Sequence, residues 1–222
     1  MKIIGVTGGC GAGKSTVSKR LEEILPNALL IKGDVFMLAE SDKLEDDILK
    51  SIGRKKDENV YSFNYYHESL ENIKKWVNVI EKNVIEQIEN IIENEKEKKD
   101  YIIVDWVFLP LCKVFEKCDY TVCIKADSDK RLERLINRLK DRTIYKEFKG
   151  SYWSYKPEIL EKRVIYTALN DFGYKSKYEI SNEGNLDTLY EKIDEIVKEM
   201  KWNKKLNNEV NPKKFIRKKE LK

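Results

Sequence analysis

Residues 2–15 read Lys2-Ile3-Ile4-Gly5-Val6-Thr7-Gly8-Gly9-Cys10-Gly11-Ala12-Gly13-Lys14-Ser15, and this stretch decides the fold. The first six form a short apolar run suited to a buried strand, and an amphipathic helix is predicted from about Lys14 to Leu25. Between them, Gly8 to Ser15 satisfy G-x-x-x-x-G-K-[ST] in the strand-to-helix context that its mechanism requires. Glycines let backbone N–H groups converge on phosphate oxygens, and the N-terminus of the following helix adds partial positive charge. Lys14 then reaches the β- and γ-phosphates, and Ser15 offers a hydroxyl to Mg²⁺. The loop therefore points to a nucleoside triphosphate.

Further strands are expected at 28–31, 101–105, 120–124 and around 178–180, alternating with helical spacing at 68–96, 128–140, 158–170 and 186–200. Short apolar strands alternating with helices predict an α/β fold, a five-stranded parallel sheet covered on both faces. Asp34 closes the second strand at the carboxyl edge, where ligands of such sheets gather. A carboxylate there suits proton abstraction from a hydroxyl or a water-mediated hold on Mg²⁺, and it equally suits a helix cap. Asp105 ends the strand Ile102–Val104 in the position of a carboxylate near Mg²⁺, with a helix cap as the plainer reading. Trp106 beside it reads as core.

In 128–142 the side chains of Arg131, Arg134, Arg138 and Arg142 fall within roughly 80° of one another on a helix. Such a cluster is suited to covering phosphates, because the guanidinium fork spreads charge over several oxygens. A solvated face paired with Glu133 and Asp141 is the alternative. His67, the only histidine, reads as a partly exposed residue at a helix start, with contact to an acceptor as the other reading. Cys10, Cys112, Cys118 and Cys123 lack zinc-ligand spacing and read as core residues.

The 222 residues carry 43 Lys and Arg against 39 Asp and Glu, a net charge of +4. Residues 201–222 hold nine of the basic and two of the acidic side chains, which leaves 34 basic and 37 acidic in 1–200. The body is thus −3 and the basic character is a tail, so nucleic acid would be met only through that tail. No apolar run approaches the roughly 18 residues of a membrane span, and the N-terminus shows no signal-peptide pattern. A cytoplasmic protein with no membrane partner is expected.

The run Ile4 to Val17 resembles the opening of the dephospho-coenzyme A kinases, which transfer the γ-phosphate of ATP to a ribose 3′-hydroxyl. Lys32-Gly33-Asp34 stands where that family has Asp-Ala-Asp, which makes Asp34 the base. Its lid motif Gln-x-x-Arg-x-x-x-Arg is answered by Arg131, Arg134 and Arg138, and its Asn-x-Gly beside adenine by Asn182-Glu183-Gly184. The resemblance implies a three-layer sheet of P-loop kinase type, with a helical acceptor-binding insertion at about 35–100 and an arginine-bearing lid at about 127–160. Residues 1–34, 101–126 and 177–200 form the core of one domain spanning 1–200, followed by the tail 201–222.

It also implies ATP contacts from Gly9, Gly11, Ala12, Gly13, Lys14, Ser15, Thr16, Arg134, Arg142, Asn182 and Gly184. Ser15 and Asp105 would hold Mg²⁺, and Lys14, Asp34 and Arg138 would do the chemistry. The chain departs from the family at Glu81-Lys82, where a His-Pro pair is usual, and at Asp105-Trp106-Val107-Phe108-Leu109, where Asp-x-Pro-Leu-Leu-Phe-Glu is. It departs again in the later helix, at Ile159–Arg163, where a Gln is usual. These sites bear on the acceptor, so a related kinase for another small hydroxyl compound, such as a nucleoside, is the alternative. A third reading is an ATP-dependent regulatory module whose tail engages nucleic acid.

Overall fold

The computed structural model describes residues 1–57, 60, 62–141, 157–167 and 176–209. Its centre is a five-stranded sheet built from β1 (Lys2–Gly8), β2 (Ala28–Lys32), β3 (Tyr101–Asp105), β4 (Tyr120–Lys125) and β5 (Tyr178–Ser181). The order is β2-β3-β1-β4-β5 and every pairing is parallel. Parallel neighbours need crossovers, and helices supply them: α1 (Lys14–Ile24), α2 (Gly33–Lys43), α3 (Glu45–Ser51), α4 (Phe63–Tyr66), α5 (Leu70–Glu95), α6 (Ser128–Asp141), α7 (Pro157–Tyr166) and α8 (Leu186–Glu209).

Alternation along each strand divides the interior into two layers. On β3, Ile102 and Val104 pack with Trp76, Ile80 and Val84 of α5. Tyr101 and Ile103 point the other way, into a cluster with Val17 and Leu21 of α1 and Ile193 and Val197 of α8. This is the three-layer α/β arrangement expected from the sequence. Helix α5 starts at Ser69, whose hydroxyl accepts the N–H of Asn72 at 3.1 Å.

α2 is anchored to α5 by polar contacts. Glu40, buried, accepts from Asn83 Nδ2 at 2.9 Å and Gln87 Nε2 at 3.1 Å, and Trp76 Nε1 donates to Ser41 Oγ at 2.8 Å. Asp34 in the first turn of α2 is thereby held on a rigid element.

Two expectations change. His67 is not a partly exposed residue at a helix start: it follows α4 and is 1% exposed, packed on Phe63 and Trp76. Burial pushes its imidazole down to about 3, helped by the Arg163 charge, so it is neutral. The final helix runs to Glu209, past the boundary drawn at 200. Residues 210–222, and the stretch holding Arg142, Tyr145, Phe148, Tyr152, Trp153 and Tyr155, lie outside the described residues. Among the described residues no helix is long and apolar enough to cross a membrane.

Candidate active site

The strand register brings the candidate residues to one edge. Lys32 lies opposite Asp105, and Asp105 opposite Val6, so Asp34, Asp105 and the loop after β1 leave the sheet side by side. On the other side of β1, Lys125 pairs with Ser181, and Asn182 follows at once, its N–H donating to Lys125 O at 2.8 Å.

The loop's shape is fixed by what holds its carbonyls. Cys10 O accepts from Arg131 Nε at 2.9 Å, Gly11 O from Arg134 Nη1 at 3.4 Å, and Ala12 O from Asn182 Nδ2 at 2.8 Å. In a planar trans peptide the C=O and the next N–H point opposite ways. Holding the Cys10 and Ala12 carbonyls therefore turns the N–H groups of Gly11 and Gly13 away from Arg131 and Asn182, while the Ala12 N–H donates to Gly9 O at 3.0 Å. Gly11 and Gly13 adopt φ of 79° and 106°, which favours glycine. A Cβ on Gly11 would lie 2.4 Å from Arg131 O, and one on Gly13 2.4 Å from Asn182 Nδ2.

Arg134 and Asn182 thus touch the loop itself, and Arg134 also donates to Asn182 O at 3.0 Å. Arg131, read as a lid residue, is instead 4% exposed and donates to Val164 O as well as to Cys10 O. Its guanidinium is held between the loop and α7 rather than on the exposed face of α6. Arg138 is exposed further along α6. Gly184 is exposed, with Thr188 as its neighbour at ordinary contact distance.

Lys14 is 8% exposed and Asp105 5% exposed at the floor of the site, while Ser15 is exposed and Thr16 half-buried at the start of α1. Burial raises the Asp105 carboxyl, the Lys14 charge and the hydroxyls of Ser18 and Ser15 oppose that rise, and Asp34 adds to it. Asp105, Lys14, Asp34 and Ser15 are therefore within electrostatic reach of one another. Oδ1 of Asp34 is buried with no hydrogen-bond partner. An orphaned carboxylate oxygen is costly to keep, and chemically it is free to accept a proton or a hydrogen bond.

Among the described residues no group of three His, Cys, Asp or Glu side chains is placed to hold a metal ion. The donors present, a buried carboxylate and a hydroxyl beside a phosphate cradle, fit Mg²⁺ bound with nucleotide phosphates, which completes its oxygen shell without a protein cage.

Sequence reading missed Thr167 and Arg163, which grip the loop from the end of α7. Thr167 Oγ1 accepts the Cys10 N–H at 3.0 Å, and Arg163 Nε donates to Cys10 Sγ at 3.3 Å. No local pattern marks them. Their significance lies in partners more than 150 residues away. Burial pushes the Cys10 thiol up, but the charges of Arg163 and Lys14 and the Thr167 hydroxyl together hold it below its ordinary value.

The profile of a family described as an AAA domain matches residues 4–153. A dephospho-CoA kinase of Fusobacterium nucleatum subsp. nucleatum is 28% identical over 204 residues, covering 86% of this chain and 95% of the relative. A crystal structure of a Thermus thermophilus protein superposes with a TM-score of 0.58 at 16% identity, covering 89% of this chain and 97% of that one. Shikimate kinase from Bacteroides thetaiotaomicron does so with a TM-score of 0.50 at 14% identity, covering 90% and 98%. The two structures are similar in fold.

Proposed function

The chain belongs to the AAA-domain family and is a P-loop kinase; from that premise we propose that it transfers the γ-phosphate of ATP to a hydroxyl of a small molecule in the cytoplasm. We infer that the acceptor is dephospho-coenzyme A, phosphorylated at its ribose 3′-hydroxyl to give coenzyme A. The observation that carries the hydroxyl-acceptor reading is Asp34 Oδ1, buried and unpartnered beside the phosphate loop. The similarity to a dephospho-CoA kinase over 86% of the chain supports the choice of acceptor.

In this reading the N–H groups of Gly11, Gly13, Lys14 and Ser15 face the phosphates, Thr16 lies beside them with its N–H donating to Gly13 O at 3.1 Å, and Gly9 and Ala12 shape the loop. Ser15 and Asp105 would hold Mg²⁺, which would offset phosphate charge when bound. Lys14, held at the floor of the site, sets its ammonium against the phosphoryl oxygens. Asp34 orients the acceptor hydroxyl and takes its proton at Oδ1 as the oxygen forms its new bond to phosphorus and the bond to the departing ADP breaks. Arg138, exposed on α6, supplies positive charge to the transferred group. Asn182 and Gly184 border the base.

A second acceptor class is favoured by one feature. Val35 and Leu38, 58% and 44% exposed, follow Asp34 on α2, and Gly33 to Glu40 contain no basic residue. Apolar surface beside the base suits an uncharged ring, such as that of a nucleoside.

Incubation with Mg·ATP and dephospho-coenzyme A, followed by a panel of nucleosides and small alcohols, separates these readings by product mass. A gain of one phosphate on dephospho-coenzyme A, lost in Lys14→Ala, is the expected result. Phosphorylation of another panel member alone keeps the transfer and replaces the acceptor. ATP bound with no product on the whole panel overturns the kinase reading in favour of a regulatory one.

A further inference from the structure

Thr167 stands at the end of α7, is fully buried, and uses its hydroxyl completely. A hydroxyl has one donor and two acceptor sites. Here the proton goes to Arg163 O at 2.6 Å, while the oxygen accepts from Cys10 N at 3.0 Å and from Arg131 Nη2 at 3.2 Å. Three elements therefore meet on one oxygen: the phosphate loop, α6 through Arg131, and the last turn of α7. The contact is close, since a Cβ on Gly9 would lie 2.7 Å from Thr167 O and 2.3 Å from Arg131 Nη2.

This buckle acts on the half of the loop that does not face phosphate. Cys10 N–H is satisfied by Thr167, and Cys10 O by Arg131. With both polar groups of Cys10 fixed, the peptide that follows has one orientation, and the Gly11 N–H is presented outward. Gly11 and Gly13 give the segment the freedom to fold otherwise, so the fixed shape must come from its partners.

We propose that Thr167 is a positioning residue for nucleotide binding, and that docking of the α7 terminus against Cys10 is what forms the phosphate loop. The inference rests on the nucleotide reading above but not on the identity of the acceptor. It also makes α7 mechanically continuous with the loop. Loss of the hydroxyl leaves the Cys10 N–H buried and unsatisfied, and the loop relaxes to find another acceptor.

Thr167→Val keeps the side-chain shape and removes the hydroxyl; Thr167→Ser keeps the hydroxyl. ATP affinity is measured by calorimetry on the full chain, together with KM for each substrate and the melting temperature. The expected result is ATP binding weakened by about tenfold in Thr167→Val, in line with one lost buried hydrogen bond. It also includes near-wild-type binding in Thr167→Ser and an unchanged acceptor KM. Hydrogen exchange should show ATP protecting 163–167 in the wild type and much less so in Thr167→Val. Equal ATP affinity in all three proteins, with only the melting temperature lowered, overturns the inference and leaves the kinase reading standing. A wild-type protein that does not bind ATP overturns both.

Discussion

Lys32 and Asp105 face each other in register across the β2–β3 pair, so the chain turns into α2 directly beside the end of β3. Two carboxylates, Asp34 and Asp105, reach the same edge from different strands. The structure gives them different company. Asp105 has Lys14 and two serine hydroxyls near it, and Asp34 keeps one oxygen without a partner. That asymmetry is what the proposed division rests on, with Asp105 beside the metal and Asp34 at the acceptor hydroxyl.

Asp34→Asn tests this division. The amide cannot take a proton, so kcat should fall by about 10²–10⁴-fold while KM for ATP changes little. Steady-state kinetics with the identified acceptor read both constants. A near-normal kcat sinks the general-base role.

Gly13→Ala tests the loop geometry. Its φ of 106° is strained for any side chain, and the added methyl would sit 2.4 Å from Asn182 Nδ2, which holds Ala12 O. A stability loss of about 1–3 kcal/mol is expected, with weaker ATP binding. Chemical denaturation and calorimetry give the two numbers. Unaltered ATP affinity would mean that Asn182 does not shape the loop.

His67 should make stability depend on pH in a window where few other groups titrate. Its folded-state value is about 3 against 6.5 unfolded, so below pH 6.5 the unfolded chain binds a proton that the native state refuses. Stability falls as pH drops from 6.5 toward 5, with a slope approaching about 1.4 kcal/mol per pH unit. His67→Phe should flatten that slope, whatever its effect on absolute stability. Denaturant midpoints at several pH values decide the matter, and an unchanged slope in the variant would contradict the burial of a neutral ring.

The phosphate loop, Asp105 at the end of β3 and the parallel sheet were legible because each is written in adjacent residues, whereas Asp34, read as closing β2, lies in the first turn of α2. Glycine spacing, a lysine and an apolar strand need no knowledge of the rest of the chain. His67 was misread because its surroundings in sequence, Tyr65, Tyr66 and Glu68, do not reveal that Phe63 and Trp76 close over it. Thr167 and Arg163 were invisible for the same reason at longer range. Arg131 was seen but given the wrong neighbour: helical spacing fixes a side chain's angle, not which partner lies there. Between Lys201 and Glu209 the sequence has only Trp202 and Leu206 as apolar residues, too few to mark the extension of α8 by periodicity.

The placement of β1 in the middle of the sheet has a consequence for synthesis. Its partners are residues 101–105 on one side and 120–124 on the other. During translation this apolar strand leaves the ribosome about a hundred residues before either flank exists. At roughly 5–20 residues per second it waits several seconds to be covered. The strand that leads into the phosphate loop is therefore the one left longest without its sheet neighbours while the chain is being made.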